Sequence, residues 1–393
     1  MHFLLKSTEE FLIYQEMTED DTQAHIALSR VYRKRKLNKL FKKNFRTLGK
    51  LQKKAPFRNR EYFNHAYLIE QENYAYLSEF KRVELNLQQV SDTLDLTFLT
   101  DKLRQSVFML SHQAVYKNEY KVGLLEEGLS YVEEHRDLQE IPAIAMYYYG
   151  YKALTNNENE YYFEQLKTQL IENAHYFPKY EIRDIYLMTI NYCIGRMNAG
   201  NAAFAREAFE LYQPGFERKI LIENERITKA TFINPITIAL RLGEFEWVEH
   251  FIENYQHYLE KQYRDSFVRF SLARLNFERK NYDEAMRLLV QVEFDDILFN
   301  LNARTMLLKM YYEQDEFDAL DSLLGSTNTY LQRKKVMGYH KSNYKNIIRF
   351  TKKLTRINPF ERTEREKLQE EIQAASPLTE KEWLLEQVQA MSN

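Results

Sequence analysis

Cations clustered without acids are the residues best placed to do chemistry in this sequence, and the chemistry would be anion recognition. From Arg30 to Arg60 there are 14 Lys+Arg and no Asp or Glu, in a chain of 393 residues with a net charge of −2. Read as one helix from Arg33 to Lys53 at about 100° per residue, Arg35, Lys39, Lys42, Arg46, Lys50 and Lys53 line one side, with Arg33 and Lys43 in the same candidate set. Leu37, Leu40, Phe41, Phe45, Leu48 and Leu51 fall opposite, so the helix would dock by an apolar face and present a cationic strip. Like charges at i,i+4 cost about 0.2–0.5 kcal/mol each in an isolated helix, so something must offset them. One source is internal acid: Glu9, Glu10, Glu16, Glu19, Asp20 and Asp21 before the strip, and Glu61, Glu70, Glu72 and Glu79 after it. The other is a polyanion partner, either nucleic acid or an acidic protein face. Tyr32, Phe41, Phe45 and Phe57 are interleaved with the cations, but they fall mostly on the docked side, which weakens a base-stacking role.

A second acid-free block runs from Ser322 to Phe360 with nine Lys+Arg. It contains Arg333, Lys334 and Lys335, then Lys341, Lys345, Arg349, Lys352, Lys353 and Arg356. If the array of helices curls, the two blocks would line one groove. His250 and His257 with Glu246 and Glu253 resemble metal-ligand spacing, but all four lie opposite the apolar stripe Phe245–Leu259 and read as a solvated face. The sequence has no phosphate-binding glycine loop, no Gly-x-Ser-x-Gly and no His-Glu-x-x-His. Ten glycines in the whole chain argue against sheet-rich folds and nucleotide-binding α/β folds alike. The single cysteine, Cys193, cannot form an intramolecular disulfide and reads as a small core residue. No cofactor and no catalytic activity are expected.

The elements that must position these residues are helices. Apolar residues recur at i, i+3, i+4 and i+7 through nearly every stretch, and no alternating run bounded by hairpin dipeptides is found. The fold class is all-α. Short polar breaks precede aromatics that would open the next helix: Lys117-Asn118-Glu119 before Tyr120, 157–160 before Tyr161, and 199–201 before Phe204. They continue with 242–244 before Phe245, 279–281 before Tyr282 and 314–316 before Phe317. The aromatics are 41, 43, 41, 37 and 35 residues apart. Such intervals are produced by stacked helical hairpins, because one pair cannot bury its apolar faces alone.

In one unit, Leu272, Ala273, Tyr282, Ala285 and Leu289 sit where a tetratricopeptide repeat places its packing residues, with Asn281-Tyr282-Asp283-Glu284-Ala285 as turn and second-helix start. The stretch 263–294 resembles that family well, 296–324 less so, and 104–259 only in period. The resemblance implies a right-handed superhelical array of helix-turn-helix repeats, an α-solenoid of eight or nine pairs. It also implies that another protein or peptide binds on the concave surface, with no chemistry performed.

Residues 1–100 fit the period poorly and read as an N-terminal helical region carrying the basic helix. Thr18, with Asp21 three residues on, would cap a helix into the basic segment; Ala55-Pro56 would stop it, and Glu61 to Gln89 would form another long helix. Residues 101–357 form the repeats, and 358–393 form a helical cap or tail, broken at Asn358-Pro359 and Ser376-Pro377. Trp383, Leu384, Leu385 and Val388 give the last helix an apolar side for packing on the terminal repeat. Tyr147-Tyr148-Tyr149 with Tyr151 put aromatics all around their helix, for inter-repeat core packing or for a division between a neighbouring helix and a surface. The start of the chain lacks signal-peptide character, and no apolar run is long enough to span a membrane. The expectation is a cytoplasmic, non-catalytic scaffold or adaptor for another protein. The alternative is a nucleic-acid-binding subunit using 30–60, and 333–356 with it.

Overall fold

Each segment with apolar residues every three or four positions has one face to bury, and it does so as a helix. The computed structural model describes residues 2–391 apart from 117, 157, 291, 293, 295 and 334–337. Among the described residues there are nineteen α-helices and no β-strand, with one isolated bridge between Glu223 and Arg226. Contacts divide the chain into two units, Met1–Leu221 and Ile222–Asn393.

The first unit contains α1 (His2–Glu19), α2 (Asp21–Lys34), α3 (Asn38–Lys54), α4 (Arg60–Leu77) and α5 (Leu87–Tyr116). It continues with α6 (Leu125–Glu134), α7 (Pro142–Thr155), α8 (Glu160–Asn173), α9 (Lys179–Asn198) and α10 (Phe204–Glu217). Every residue of α7 from Ala143 to Gly150 is buried, pressed between α5 and α8. All three tyrosines of the 147–149 triplet are therefore inside, as the core-packing reading has it, while Tyr151 is half-buried. Phe163, Tyr192 and Phe204 tie α8, α9 and α10 together with ring centres 5.2–5.8 Å apart. Cys193 lies fully buried in the same region, where burial pushes its thiol well above the ordinary range.

Three N-terminal expectations are corrected. The single helix from Arg33 to Lys53 is two helices, because Lys36 adopts φ 55° and ends α2. The backbone N–H of Leu37 then donates to the Tyr32 carbonyl at 2.8 Å and that of Lys36 to Arg33 at 2.9 Å, closing α2 before α3 begins. The cap of α2 is Asp20, whose carboxylate accepts from the N–H groups of Thr22 and Gln23; Thr18 lies inside α1. The helix expected over Glu61–Gln89 stops at Leu77, and a new one starts at Leu87.

The second unit contains α11 (Lys229–Arg241), α12 (Phe245–Tyr255), α13 (Lys261–Glu278), α14 (Tyr282–Val290) and α15 (Ile297–Glu313). It ends with α16 (Phe317–Arg333), α17 (Gly338–Leu354), α18 (Arg362–Ala374) and α19 (Lys381–Ala390). Ala273 and Ala285 are fully buried where α13 and α14 pack, small side chains that permit a close approach. Phe267, Phe270, Phe294 and Phe299 join α13 to α15 through ring contacts of 4.9–6.0 Å. The C-terminal helices fold onto α15–α17 in one core. There the Trp383 indole N–H donates to Glu313 at 2.8 Å, and Lys309 pairs with Glu380 at 2.9 Å.

The hairpins share a local device. At the ends of α9, α11, α13 and α15, a left-handed residue (Gly200, Gly243, Lys280, Asp315) stops the helix. Its N–H bonds back to a carbonyl three residues earlier, and the next N–H bonds five residues back: Asn201 to Arg196, Glu244 to Ala239, Asn281 to Asn276, Glu316 to Tyr311. Glycine meets this demand freely, whereas Lys280 and Asp315 meet it at a steric cost. Phe204, Phe245, Tyr282 and Phe317 each open a helix as expected, and Tyr161 lies in the first turn of α8. Tyr120 does not: it sits in an irregular segment with its hydroxyl 2.9 Å from His112 Nδ1, and helix resumes only at Leu125. Helices packed consecutively in this way are consistent with a helical-repeat fold.

Candidate functional site

The basic segment is presented by a three-helix arrangement of α2, α3 and α4. The apolar seam of α3 is set by Phe41, whose ring stacks on Tyr76 of α4 at 4.0 Å, and by Leu48, packed with Ile26 of α2 and Ile69 of α4. Between them lies a buried polar pin. Asn44 Nδ2 donates to the His25 carbonyl at 2.7 Å and to Ser29 Oγ at 2.8 Å, and its Oδ1 faces His25 Nδ1 at 2.5 Å. Side-chain amides bonded in this way fix the rotation of α3 about its own axis, since any turn would leave buried donors unpaired. Sequence reasoning missed the pin, although Asn44 is a polar residue on an otherwise apolar face.

Internal neutralisation reaches only the two ends of the basic segment, and at the far end Arg60 pairs with Asp101. Glu72, only 8% exposed, accepts from Arg30 at 2.7 Å and from Arg33 at 3.1 Å, and Glu79 lies 3.9 Å from Arg33. Glu70 is occupied by Asn86, and Asp20 by its capping bonds and by His65 at 3.5 Å. Arg35, Lys39, Lys42, Lys43, Arg46, Lys50 and Lys53 are all exposed. Among the described residues, no carboxylate lies within 4.0 Å of any of these seven. The candidate residues thus divide: Arg33 belongs to a partly buried ion-pair cluster, and the other seven form an open cationic surface.

The second basic block lies in the other unit. Arg333 is exposed at the end of α16, while Lys334 and Lys335 lie outside the described residues. Farther along, acids answer the cations: Lys352 faces Asp321 at 3.9 Å, and Lys353 pairs with Glu371 of α18. The Lys353 ammonium holds the Glu371 carboxyl below the usual carboxylate range.

His250, Glu246 and Glu253 on α12, and His257 in the 3₁₀ turn Gln256–Tyr258 after it, are all exposed, as their place opposite the apolar stripe implied. Among the described residues, no three His, Cys, Asp or Glu side chains converge to hold a metal, and no helix is long and apolar enough to cross a membrane.

A groove of about 370 Å³ opens along α11, α13 and α15 in the second unit, with Ile233, Phe270, Phe277 and Met306 on its apolar side. Arg274 projects there, donating from Nη1 to Thr237 Oγ1 at 2.7 Å. Among the described residues it has no carboxylate within 4.0 Å, and burial holds its pKa below the ordinary arginine value.

Comparison with known proteins found no matching family model, no matching curated protein and no matching solved structure.

Proposed function

We propose that this chain is a non-catalytic recognition protein, in which tetratricopeptide-like helical hairpins form the framework and the exposed face of α3 binds nucleic acid. The observation that carries the reading is the row of seven cations left without acid partners while the rotation of α3 is pinned by Asn44. Like-charge repulsion along such a face is relieved when its cations meet phosphates, and the counterions condensed on the nucleic acid are released. The test is fluorescence anisotropy with a labelled 20-mer at 50 and 200 mM salt. If about six of the seven cations meet phosphates, affinity falls roughly 10³-fold between the two salts. Lys39/Lys42/Arg46→Glu then abolishes binding. Absence of binding at 50 mM, or binding that ignores the triple substitution, refutes the reading.

Arg274 favours a second reading, in which the framework also serves as a scaffold for another protein. A half-buried guanidinium bonded to the Thr237 hydroxyl, with the Glu278 carboxylate acting on it from beyond 4.0 Å, keeps donors for an incoming carboxylate, and the neighbouring aromatics suit an apolar side chain. Arg274→Ala would then weaken the capture of acidic, apolar peptides from a random peptide library, while leaving nucleic-acid binding unchanged.

A further inference from the structure

We infer that the nucleic acid recognised by α3 is B-form duplex DNA, with α3 lying in the major groove; this rests on the proposed reading and narrows it. Three features of the surface lead there. The first is shape. At about 100° per residue, Lys42, Lys53, Arg46, Lys39, Lys50, Lys43 and Lys54 follow one another around α3 in steps of about 20°, a continuous cationic fan. The fan spans about 120° of a helix some 5–6 Å in radius, so its edges, at Lys42 and Lys54, stand about 10 Å apart, close to the major-groove width of about 12 Å. One edge of the fan therefore meets the phosphates of one strand, and the other edge meets those of its complement. From Lys39 to Lys54 the strip is about 22 Å long at 1.5 Å per residue.

The second feature is protrusion. Asn38, Lys39, Leu40, Lys42, Lys43, Arg46, Gly49, Lys50, Lys53 and Lys54 are all exposed, more than half the circumference of α3. The helix is held by the narrow Phe41–Asn44–Leu48 seam, which leaves the rest free to enter a groove. It follows α2 after a turn of Arg35, Lys36 and Leu37, the connection length of a helix-turn-helix unit, and that turn adds exposed cations beside the groove helix.

The third feature is what the strip lacks. Single strands are held by aromatic platforms, but Phe41 is stacked under Tyr76 and Phe45 is packed beside it, both on the docked side. The major groove of A-form RNA is deep and too narrow for a helix, so duplex RNA offers α3 no equivalent seat.

The experiment compares the full-length chain on a 20-bp DNA duplex, the same sequence as duplex RNA, the DNA single strand, and a DNA duplex carrying glucosylated 5-hydroxymethylcytosine. Glucose fills the major groove and leaves the phosphates unchanged. We expect DNA duplex to bind at least tenfold tighter than RNA duplex or single strand, and glucosylation to weaken it at least tenfold. Lys42/Lys53→Gln and Lys43/Lys54→Gln should each lower the salt slope by about two, because each double substitution removes two ammonium groups that neutralise phosphates. Equal affinity for RNA duplex, tighter binding of single strand, or indifference to glucosylation overturns the inference. If these outcomes appear while Lys39/Lys42/Arg46→Glu still abolishes binding, the anion-binding reading survives and only the duplex assignment fails. If no nucleic acid responds to the triple substitution, both fall.

Discussion

Glu181→Gln is expected to be among the most destabilising single changes in the first unit. Glu181 opens α9 yet is only 2% exposed. Its carboxylate accepts from the Tyr147 hydroxyl of α7 and from Asn59 Nδ2 at 3.1 Å, and lies 3.5 Å from Arg104 Nε of α5. One side chain therefore ties three helices and the loop before α4. Glutamine keeps the shape but removes the charge, and because Tyr147 and Asn59 donate to different oxygens, its NH₂ must face one of those donors. Breaking a buried pair costs about 3–5 kcal/mol. Arg104 is 31% exposed and partly solvated, so the lower end, about 3 kcal/mol, applies here. In a unit of this size each kcal/mol moves Tm by about 2–4 °C, which predicts a fall of about 6–12 °C. Urea unfolding followed by hydrogen exchange of α7 and α9 amides reads the loss in the correct unit. A cost under about 1 kcal/mol, the scale of an exposed pair, would refute the argument that this carboxylate is a buried tie.

Other outcomes follow from the same reasoning. Lys280→Gly and Asp315→Gly should each stabilise the second unit by about 0.5–1 kcal/mol in thermal unfolding, because both positions hold φ near 60° and glycine removes the Cβ penalty. Alkaline titration at 295 nm should show a delayed class of tyrosines. Burial raises the Tyr149 phenol to about 12, and burial with the adjacent Glu181 carboxylate raises Tyr147 well above its usual value. Folded pKa values above the unfolded one of about 10 mean that this stability is complete below pH 10 and is lost as pH rises through the folded values. Tyr147→Phe should reduce that alkaline dependence.

The helices were legible because amphipathic periodicity is local: five of the six aromatics after polar breaks do begin or nearly begin a helix, and Ala273 and Ala285 are both buried on the packed helices α13 and α14. The expectations that failed lacked a strong local signal. Lys36 carries no glycine to announce its left-handed turn, and Asp20 caps α2 from a run of acids in which several residues look alike. The triplet at 147–149, open to two readings in the sequence, is buried all round because α5, α8 and their neighbours enclose α7, a fact of packing that no periodicity within α7 encodes.

Composition and spacing were enough to define an all-α chain of hairpins with an amphipathic cationic segment, since those properties depend on residues within a few turns of one another. Which cations are free is a different kind of fact. Glu72 reaches back 42 residues to neutralise Arg30 and 39 to hold Arg33, while Asn44 is fixed by residues 19 and 15 positions earlier. Ion pairing and helix rotation follow distance in space, and only the packing of α2, α3 and α4 brings those groups within reach of one another.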